Sequence, residues 1–217
     1  MGDGLLKQFR LLAGVPILLR SIRPFLSHPE VLEVVAVLPT AQALSPPAWF
    51  AEASGDRLRA VAGGEARMDS VEAGLVALAP SCAVVLVHDG ARPFPESAVI
   101  DAVIAAARRG TGAIAAIPVS DTLKEAEVPA TNGHPRVLRT VPRGSLWRAQ
   151  TPQGFPRPLL TDAFALARAA GFTGTDEASL VERAGGTVVL VPDVATNLKI
   201  TTPDDLRLAE AFAVAGR

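Results

Sequence analysis

The stretch AVVLVHDGARPF, residues 83–94, decides the fold prediction, because it joins an uninterrupted apolar run to a cluster of polar residues. An apolar run without alternation, such as Ala83 to His88, is typical of a strand buried on both faces of a parallel sheet. Four other runs have the same character and also predict strands: Glu33 to Leu38, Leu58 to Ala62, Gly112 to Pro118 and Thr187 to Val191.

Amphipathic segments separate these strands and predict six helices: Pro16 to Leu26, Arg67 to Leu78, Glu96 to Arg109, Arg157 to Ala170, Asp176 to Ala184 and Asp204 to Val214. Pro24 is expected to kink or shorten the first helix. The alternation predicts an α/β fold with an open, doubly wound, mostly parallel, Rossmann-like sheet and helices on both faces. The 217 residues, 49% of them hydrophobic, fit a single domain, residues 1–217.

Residues 123–156 interrupt this rhythm, since they are rich in Pro, Gly, Thr and Arg. Asn132-Gly133 is a turn signal between two short strand-like runs, which predicts a projecting β-arm within the domain. Long excursions of this kind often serve oligomerisation. No Asp or Glu occurs between Val128 and Thr161, yet five arginines do. This basic segment suits phosphate or a partner subunit, and an ordinary basic surface is the alternative.

The composition argues against several classes of protein. A net charge of −1 disfavours a general nucleic-acid-binding surface. The apolar runs are far shorter than the roughly 18 residues of a membrane span. The single cysteine, Cys82, cannot form an internal disulfide, and residues 1–7 do not resemble a secretory signal. We therefore expect a soluble, cytoplasmic protein without nucleic-acid or membrane partners.

Polar clusters follow the predicted strands where open α/β sheets bind their ligands. Gly63-Gly64-Glu65 leads into a predicted helix, where glycines let a ligand approach the backbone and free N–H groups favour anions or polar base edges. Ser70 and Asp69 can serve the helix start or a ligand. An ordinary capped turn is the competing interpretation.

The second cluster contains Asp89 and Arg92, three residues apart after the strand at 83–87. Asp89 can bind Mg²⁺ while Arg92 binds phosphate oxygens, or the two can pair with each other to fix the turn. His88 is expected to be a hydrogen-bonded residue at the strand end. Lys199 lies in a short apolar run, which favours a site residue over a solvated lysine.

These clusters, in this order, resemble the 2-C-methyl-D-erythritol 4-phosphate cytidylyltransferase family of non-mevalonate isoprenoid biosynthesis. The matching stretches are GGEARMDSV (63–71), LVHDGARPF (86–94), PVSDTLK (118–124), RTVPRGSLWRAQTPQGFPRPLL (139–160), TDEASLVE (175–182) and NLKITTPDDLRLAE (197–210). Together they span nearly the whole chain. The resemblance implies transfer of a cytidylyl group from CTP to methylerythritol phosphate, with release of pyrophosphate.

The resemblance also implies a role for each matching residue. Lys7 and Lys199 would be the catalytic lysines, with Leu6 in place of the family's usual proline. The nucleotide would contact Gly64, Glu65, Ser70, Asp89 and Gly90, with Glu65 where many relatives have Asp, and Asp89 would bind Mg²⁺. The polyol phosphate would contact Asp89, Arg92, Thr140 and Arg157, the last two from a neighbouring subunit of a homodimer that exchanges its arms.

One departure from the family lies at the amino terminus, where the sequence begins Met1-Gly2-Asp3-Gly4. Family members begin with a strand and a glycine-rich loop that cradles the triphosphate. The comparison predicts that this strand, most of the loop and one catalytic arginine are lacking, which leaves an exposed gap in the sheet and poor activity.

Two alternatives stay open: a ribitol 5-phosphate cytidylyltransferase, and a truncated, non-catalytic dimeric remnant. A nicotinamide-binding dehydrogenase is disfavoured, because no G-x-G-x-x-G follows a strand.

Overall fold

The computed structural model describes residues 6–53, 55–127 and 133–215. The strands in chain order are β1 Leu11–Leu12, β2 Val15–Pro16, β3 Val34–Leu38, β4 Leu58–Ala62, β5 Val84–Val87, β6 Gly112–Pro118, β7 Leu123–Ala126, β8 Val137–Val141, β9 Trp147–Pro156 and β10 Val188–Pro192. The α-helices are α1 Ile17–Leu26, α2 Thr40–Leu44, α3 Ala48–Glu52, α4 Arg67–Ala77, α5 Ser97–Arg108, α6 Arg157–Ala169, α7 Glu177–Arg183 and α8 Pro203–Val214. Residues 1–4, which carry the predicted departure from the family, and Asn132 of the turn signal lie outside the described residues.

The five predicted strands are present, and the α/β prediction is confirmed. Four strands form the central sheet in the order β10-β6-β9-β5, and β3 pairs with β4 in a separate parallel pair. β10 runs parallel to β6, whereas β9 runs antiparallel to both β6 and β5. The sheet is therefore mixed around β9.

Strand β9 corrects the predicted extent of the arm. Residues 147–156 were expected to project, yet they lie within the central sheet, and Gln153 and Phe155 are almost completely buried. The sequence concealed this strand because its buried positions include Gln, Thr and Gly, which are depleted in apolar strand patterns. The arm narrows to the antiparallel hairpin of β7 and β8.

Helices cover both faces of the central sheet, because successive residues of a strand point to opposite sides. On β6, Ile114 belongs to a core cluster with α4, α6 and α7, whereas its neighbours Ala113 and Ala115 pack with α5. A Cβ at Gly112 would lie 2.9 Å from the ring of Phe155 on the adjacent strand β9, so Gly112 leaves room for that ring within the sheet. The doubly wound arrangement is thus confirmed.

The helix predictions hold within about one residue at each end, with two additions. Helix α1 ends at Leu26 with Pro24 inside it, so Pro24 does not shorten this helix. Helices α2 and α3 were missed, because five residues are too few to show a helical period. No described helix combines the length and apolar composition that crossing a membrane requires.

A cleft separates the two sheets, because β3 and β5 do not pair. Its cavity of about 520 Å³ is lined by successive residues of both strands, Val34–Val37 and Val84–Val87. Phe25 of α1 closes one side and Leu75 of α4 the other. Each flanking strand therefore has a backbone edge without a strand partner among the described residues.

We predict that amide hydrogen exchange will distinguish these strands. Peptides covering β6 should exchange at least about tenfold more slowly than peptides covering β3, because β6 has a strand on each side and β3 has only β4. Exchange of the native protein followed by mass spectrometry measures both in one sample. Equal protection of residues 112–118 and 34–38 would contradict an open cleft.

Candidate active site

Three cationic side chains surround the carboxylate of Asp89, which follows β5. One oxygen, Oδ2, lies 3.0 Å from Nζ of Lys199 and 3.4 Å from Nε of Arg92. The other, Oδ1, lies 3.8 Å from Nη2 of Arg67. The Asp89 side chain is only 15% exposed, whereas those of Lys199 and Arg67 are 39% and 40% exposed, so the carboxylate is shielded while two of its partners remain in contact with water. Asp89, Arg92 and Lys199, which the sequence assigned to the site separately, therefore lie together.

The electrostatics of this cluster keep Asp89 ionised. Burial would raise the pKa of Asp89, but Lys199, Arg67 and Arg92 outweigh that effect and hold this pKa below its ordinary value. Burial also lowers the pKa of Arg92, although Asp89 opposes the shift, and a guanidinium remains charged in any case. The pairing of Asp89 with Arg92, given above as an alternative, coexists with the contact to Lys199.

His88 and Thr151 fix the backbone of the loop that follows β5 and carries Asp89 and Arg92 (the Asp89 loop). The amide N–H of Asp89 donates to Oγ1 of Thr151 at 3.0 Å, and this hydroxyl lies 3.0 Å from Nδ1 of His88. The other ring nitrogen of His88 lies 3.0 Å from the carbonyl oxygen of Arg92. Burial lowers the pKa of His88 to about 4, so a neutral ring completes this chain of hydrogen bonds at neutral pH. The expectation of a hydrogen-bonded strand-end histidine is confirmed.

Asn197 connects the segment that carries Lys199 to the same loop. Its carbonyl oxygen accepts hydrogen bonds from Nη1 of Arg92 at 2.8 Å and from Nε2 of Gln150 at 2.9 Å. Its side-chain amide donates to the carbonyl oxygen of Thr151 at 2.8 Å. Asn197 is completely buried, so these bonds stay free of competition from water. Lys199 is therefore held beside Asp89 by the backbone two residues before it.

The glycine pair before α4 forms a second edge of the site. A Cβ at Gly63 would lie 2.7 Å from Oγ of Ser70, and one at Gly64 would lie 2.3 Å from Cβ of Asp69. Gly64 therefore requires glycine, whereas at Gly63 the contact is with a side-chain hydroxyl that can rotate. The carboxylate of Asp69 accepts from the N–H of Ala66 at 3.0 Å, so Asp69 serves the helix start.

The remaining predicted nucleotide contacts lie at the edges of this region. Glu65 is exposed next to the glycine pair. The carbonyl oxygen of Gly90 accepts from Oγ of Ser21 at 3.2 Å, which ties α1 to the Asp89 loop.

Lys7 lies in a short 3-10 helix before α1, and no hydrogen bond or ion pair between described residues joins Lys7 to Asp89. Its role stays a prediction.

The structure does not bring Thr140 and Arg157 to this cluster. Thr140 lies on the exposed β7–β8 hairpin, where its hydroxyl accepts from Nζ of Lys124 at 2.6 Å. Arg157 lies at the opposite end of β5 from Asp89, since its amide N–H donates to the carbonyl oxygen of Ala83. Its guanidinium donates to the carbonyl oxygens of Leu75, Leu78 and Ala79, near the end of α4. Both residues were predicted to reach the site of a neighbouring subunit, so their roles stay predictions.

Two charged residues that the sequence analysis did not single out also belong here. The guanidinium of Arg67 donates to both carboxylate oxygens of Glu177, at 2.6 and 2.9 Å. Burial would lower the pKa of Arg67, but Glu177 and Asp89 raise it above its ordinary value. In sequence, Glu177 has the pattern of an ordinary first-turn acid behind the N-cap Asp176. The only sign in the sequence that Glu177 belongs to the site was its place within the stretch TDEASLVE, residues 175–182.

Comparisons with known proteins agree with this geometry. Residues 1–214 match the family model of 2-C-methyl-D-erythritol 4-phosphate cytidylyltransferase. The protein of that name from Solibacter usitatus is 43% identical over 211 residues, which cover 95% of this chain and 84% of the relative. The bifunctional enzyme IspD/IspF of Anaeromyxobacter dehalogenans is 46% identical over 98% of this chain, but this chain spans only 54% of that relative.

Solved structures give the same result. The crystal structure of 2-C-methyl-D-erythritol 4-phosphate cytidylyltransferase from Thermus thermophilus matches with a TM-score of 0.81 and 38% identity, covering 96% of this chain and 94% of that one. The 4-diphosphocytidyl-2C-methyl-D-erythritol synthase of Anaerococcus prevotii matches with a TM-score of 0.85 and 27% identity, covering 95% and 93%.

We predict that Arg157 stabilises the fold. Replacing it in Arg157→Ala should lower the free energy of unfolding by about 2 kcal/mol, because three backbone carbonyls lose a charged donor. Urea denaturation followed by circular dichroism measures the change. The control Arg109→Ala, at an exposed arginine on the end of α5, should remain within about 0.5 kcal/mol of the unmodified protein. Equal stability of the two variants would refute this role.

Proposed function

The chain belongs to the 2-C-methyl-D-erythritol 4-phosphate cytidylyltransferase family, and from that premise we propose that it transfers the cytidylyl group of CTP to 2-C-methyl-D-erythritol 4-phosphate. The products are 4-diphosphocytidyl-2-C-methyl-D-erythritol and pyrophosphate. The observation that carries this proposal is the cluster of Arg92, Lys199 and Arg67 around Asp89 at the carboxyl end of β5. A cationic cluster at this edge of an α/β sheet suits a phosphorylated ligand.

The proposed reaction needs no protein base. A phosphate oxygen of the polyol substrate is already ionised at neutral pH, so it can attack the α-phosphorus of CTP directly. A new bond from that oxygen to phosphorus forms while the bond to the β-phosphate oxygen breaks, and pyrophosphate leaves with the electron pair. Two anions must therefore approach each other. Lys199 and Arg92 offset their repulsion and the negative charge of the transition state.

Asp89 supports this proposal by holding the cations in place before substrate binds. Charges that are already oriented cost little reorganisation at the moment of reaction. The contact of 3.0 Å between Lys199 and Asp89 fixes a flexible lysine at the carboxyl end of β5. Gly63, Gly64 and Ser70, at the neighbouring start of α4, would accept the cytosine and ribose, with Glu65 and Gly90 at the edges of the nucleotide.

A divalent cation fits this arrangement when the substrate supplies most of its ligands. The described residues contain no group of three or more His, Cys, Asp or Glu side chains that could hold a metal ion. Asp89 nevertheless offers an ionised carboxylate, and Mg²⁺ commonly binds one carboxylate together with substrate phosphates and water. We propose that Asp89 would be the protein ligand of Mg²⁺, which would neutralise phosphate charge when bound.

We also propose a homodimer formed through the β7–β8 hairpin. Val137 and Leu138 are 55% and 54% exposed, which is unusual for large apolar residues of a strand and fits burial in a second copy. Thr140 on the same hairpin would then lie close to the site of the neighbouring subunit.

The cytoplasm is the proposed compartment, since the reaction consumes CTP.

We predict that Lys199→Met will lower kcat/KM by about 100- to 1000-fold, because the transition state loses a prepositioned charge. A pyrophosphate-release assay with CTP measures this, with methylerythritol phosphate and ribitol 5-phosphate compared as acceptors. The control Arg207→Met removes an exposed cation of α8 and should leave turnover within twofold. Faster turnover of ribitol 5-phosphate would refute the proposed acceptor, and the absence of turnover with either acceptor would refute the activity.

We predict that Leu138→Glu will convert the proposed dimer into monomers, because a carboxylate would be buried at the contact without a partner. Sedimentation velocity over a range of protein concentrations measures this. Leu166→Glu, at a 56% exposed leucine of α6, is the matched control and should leave the dimer intact. A monomeric unmodified chain, or an unchanged dimer in Leu138→Glu, would contradict the proposed interface.

A further inference from the structure

The ion pair between Arg67 and Glu177 is unusually asymmetric in its exposure. The Glu177 side chain is only 1% exposed, whereas that of Arg67 is 40% exposed. Both carboxylate oxygens accept from the guanidinium, in the two-point geometry that fixes its plane as well as its position. The pair therefore presents an arginine of fixed orientation at the surface of the site.

Glu177 is itself held firmly by the central sheet. It is the first residue of α7, whose N-cap Asp176 accepts from Nε2 of Gln153 at 2.9 Å. The other end of the same amide, Oε1, accepts from the backbone N–H of Ala178 at 3.2 Å. Gln153 is 1% exposed on β9, so the start of α7 cannot move independently of the sheet. A buried carboxylate in this position requires its cation, which ties Arg67 to it.

Arg67 retains hydrogen-bonding capacity on the side facing Asp89. Two of its five N–H groups donate to Glu177, and the other three have no hydrogen-bond acceptor within the described part of the chain. The distance of 3.8 Å from Nη2 to Oδ1 of Asp89 is too long for a hydrogen bond. Arg67 also begins α4, whose 11 residues leave free N–H groups at the same end. The unused N–H groups of the guanidinium and the free N–H groups at the start of α4 both favour an anion beside Arg67.

We propose that Arg67 binds a phosphate of the nucleotide beside Asp89, and that Glu177 is a positioning residue that acts through Arg67. This inference rests on the function proposed above and adds a specific contact to it. Arg67 lies between the glycine pair, where the nucleoside would lie, and the cations around Asp89, where the chemistry would occur. A polyphosphate extending from one to the other passes this guanidinium.

Nucleotide binding, measured by calorimetry without turnover, tests the proposal. Arg67→Gln should weaken CTP binding by about 10- to 100-fold, the usual loss for a charged hydrogen bond, and leave cytidine binding within twofold. Arg67→Lys should give an intermediate loss, because it keeps the charge without the two-point geometry. The matched control is Arg168→Gln. It removes a different arginine, which pairs with Asp69 and Glu72 of α4, and it should bind CTP like the unmodified chain.

A double variant separates positioning from simple stabilisation. Glu177→Gln should weaken CTP binding less than Arg67→Gln, and combining the two should cost no more than Arg67→Gln alone, because Glu177 acts only through the arginine. Additive losses, or unchanged CTP binding in Arg67→Gln and Arg67→Lys, would overturn the proposal. If the unmodified chain does not bind CTP, the proposed function fails instead, and this inference fails with it.

Discussion

The architecture of the site follows from one requirement: the ionised carboxylate of Asp89, 15% exposed at the end of β5, must be neutralised. Lys199, Arg92 and Arg67 meet this requirement from three separate segments of the chain. A single negative charge, largely shielded from water, thus gathers the positive charges that the two proposed phosphorylated substrates would need. Removal of Asp89 would leave those cations mutually repelling, so the carboxylate organises the site even where it touches no ligand.

Strand β9 supplies most of the structural support for that cluster. Thr151 fixes the Asp89 backbone, Gln150 binds the segment before Lys199, and Gln153 anchors the start of α7. All three side chains are buried and hydrogen-bonded, which offsets the cost of burying polar groups, although Oε1 of Gln150 has no hydrogen-bond partner among the described residues. The antiparallel strand therefore joins the segment before Lys199, the Asp89 loop and the start of α7 into one hydrogen-bonded unit.

The sequence revealed the parts of the fold that depend on apolar patterns, and concealed those that depend on buried polar contacts. β5 and β6 were predictable because their residues are apolar throughout, whereas β9 carries Thr and Gln at buried positions and was assigned to the arm. Asp89, Arg92 and Lys199 were identified because each follows or lies in a strand-like run. Arg157 was assigned by its place in a matching stretch, and its hydrogen bonds to the carbonyls at the end of α4 became visible only in three dimensions.

The open cleft between β3 and β5 has a mechanical consequence. Gly63 and Ser70 follow the β3–β4 pair, whereas Asp89 follows a strand of the central sheet, so the described strands form no continuous ladder of backbone hydrogen bonds between the two halves of the site. That distance depends instead on the packing of α1 and α4 across the cleft, including the contact between Ser21 and Gly90. Side-chain packing yields more readily than a ladder, so the spacing between Gly63 and Asp89 is set less tightly than the spacing of paired strands within either sheet.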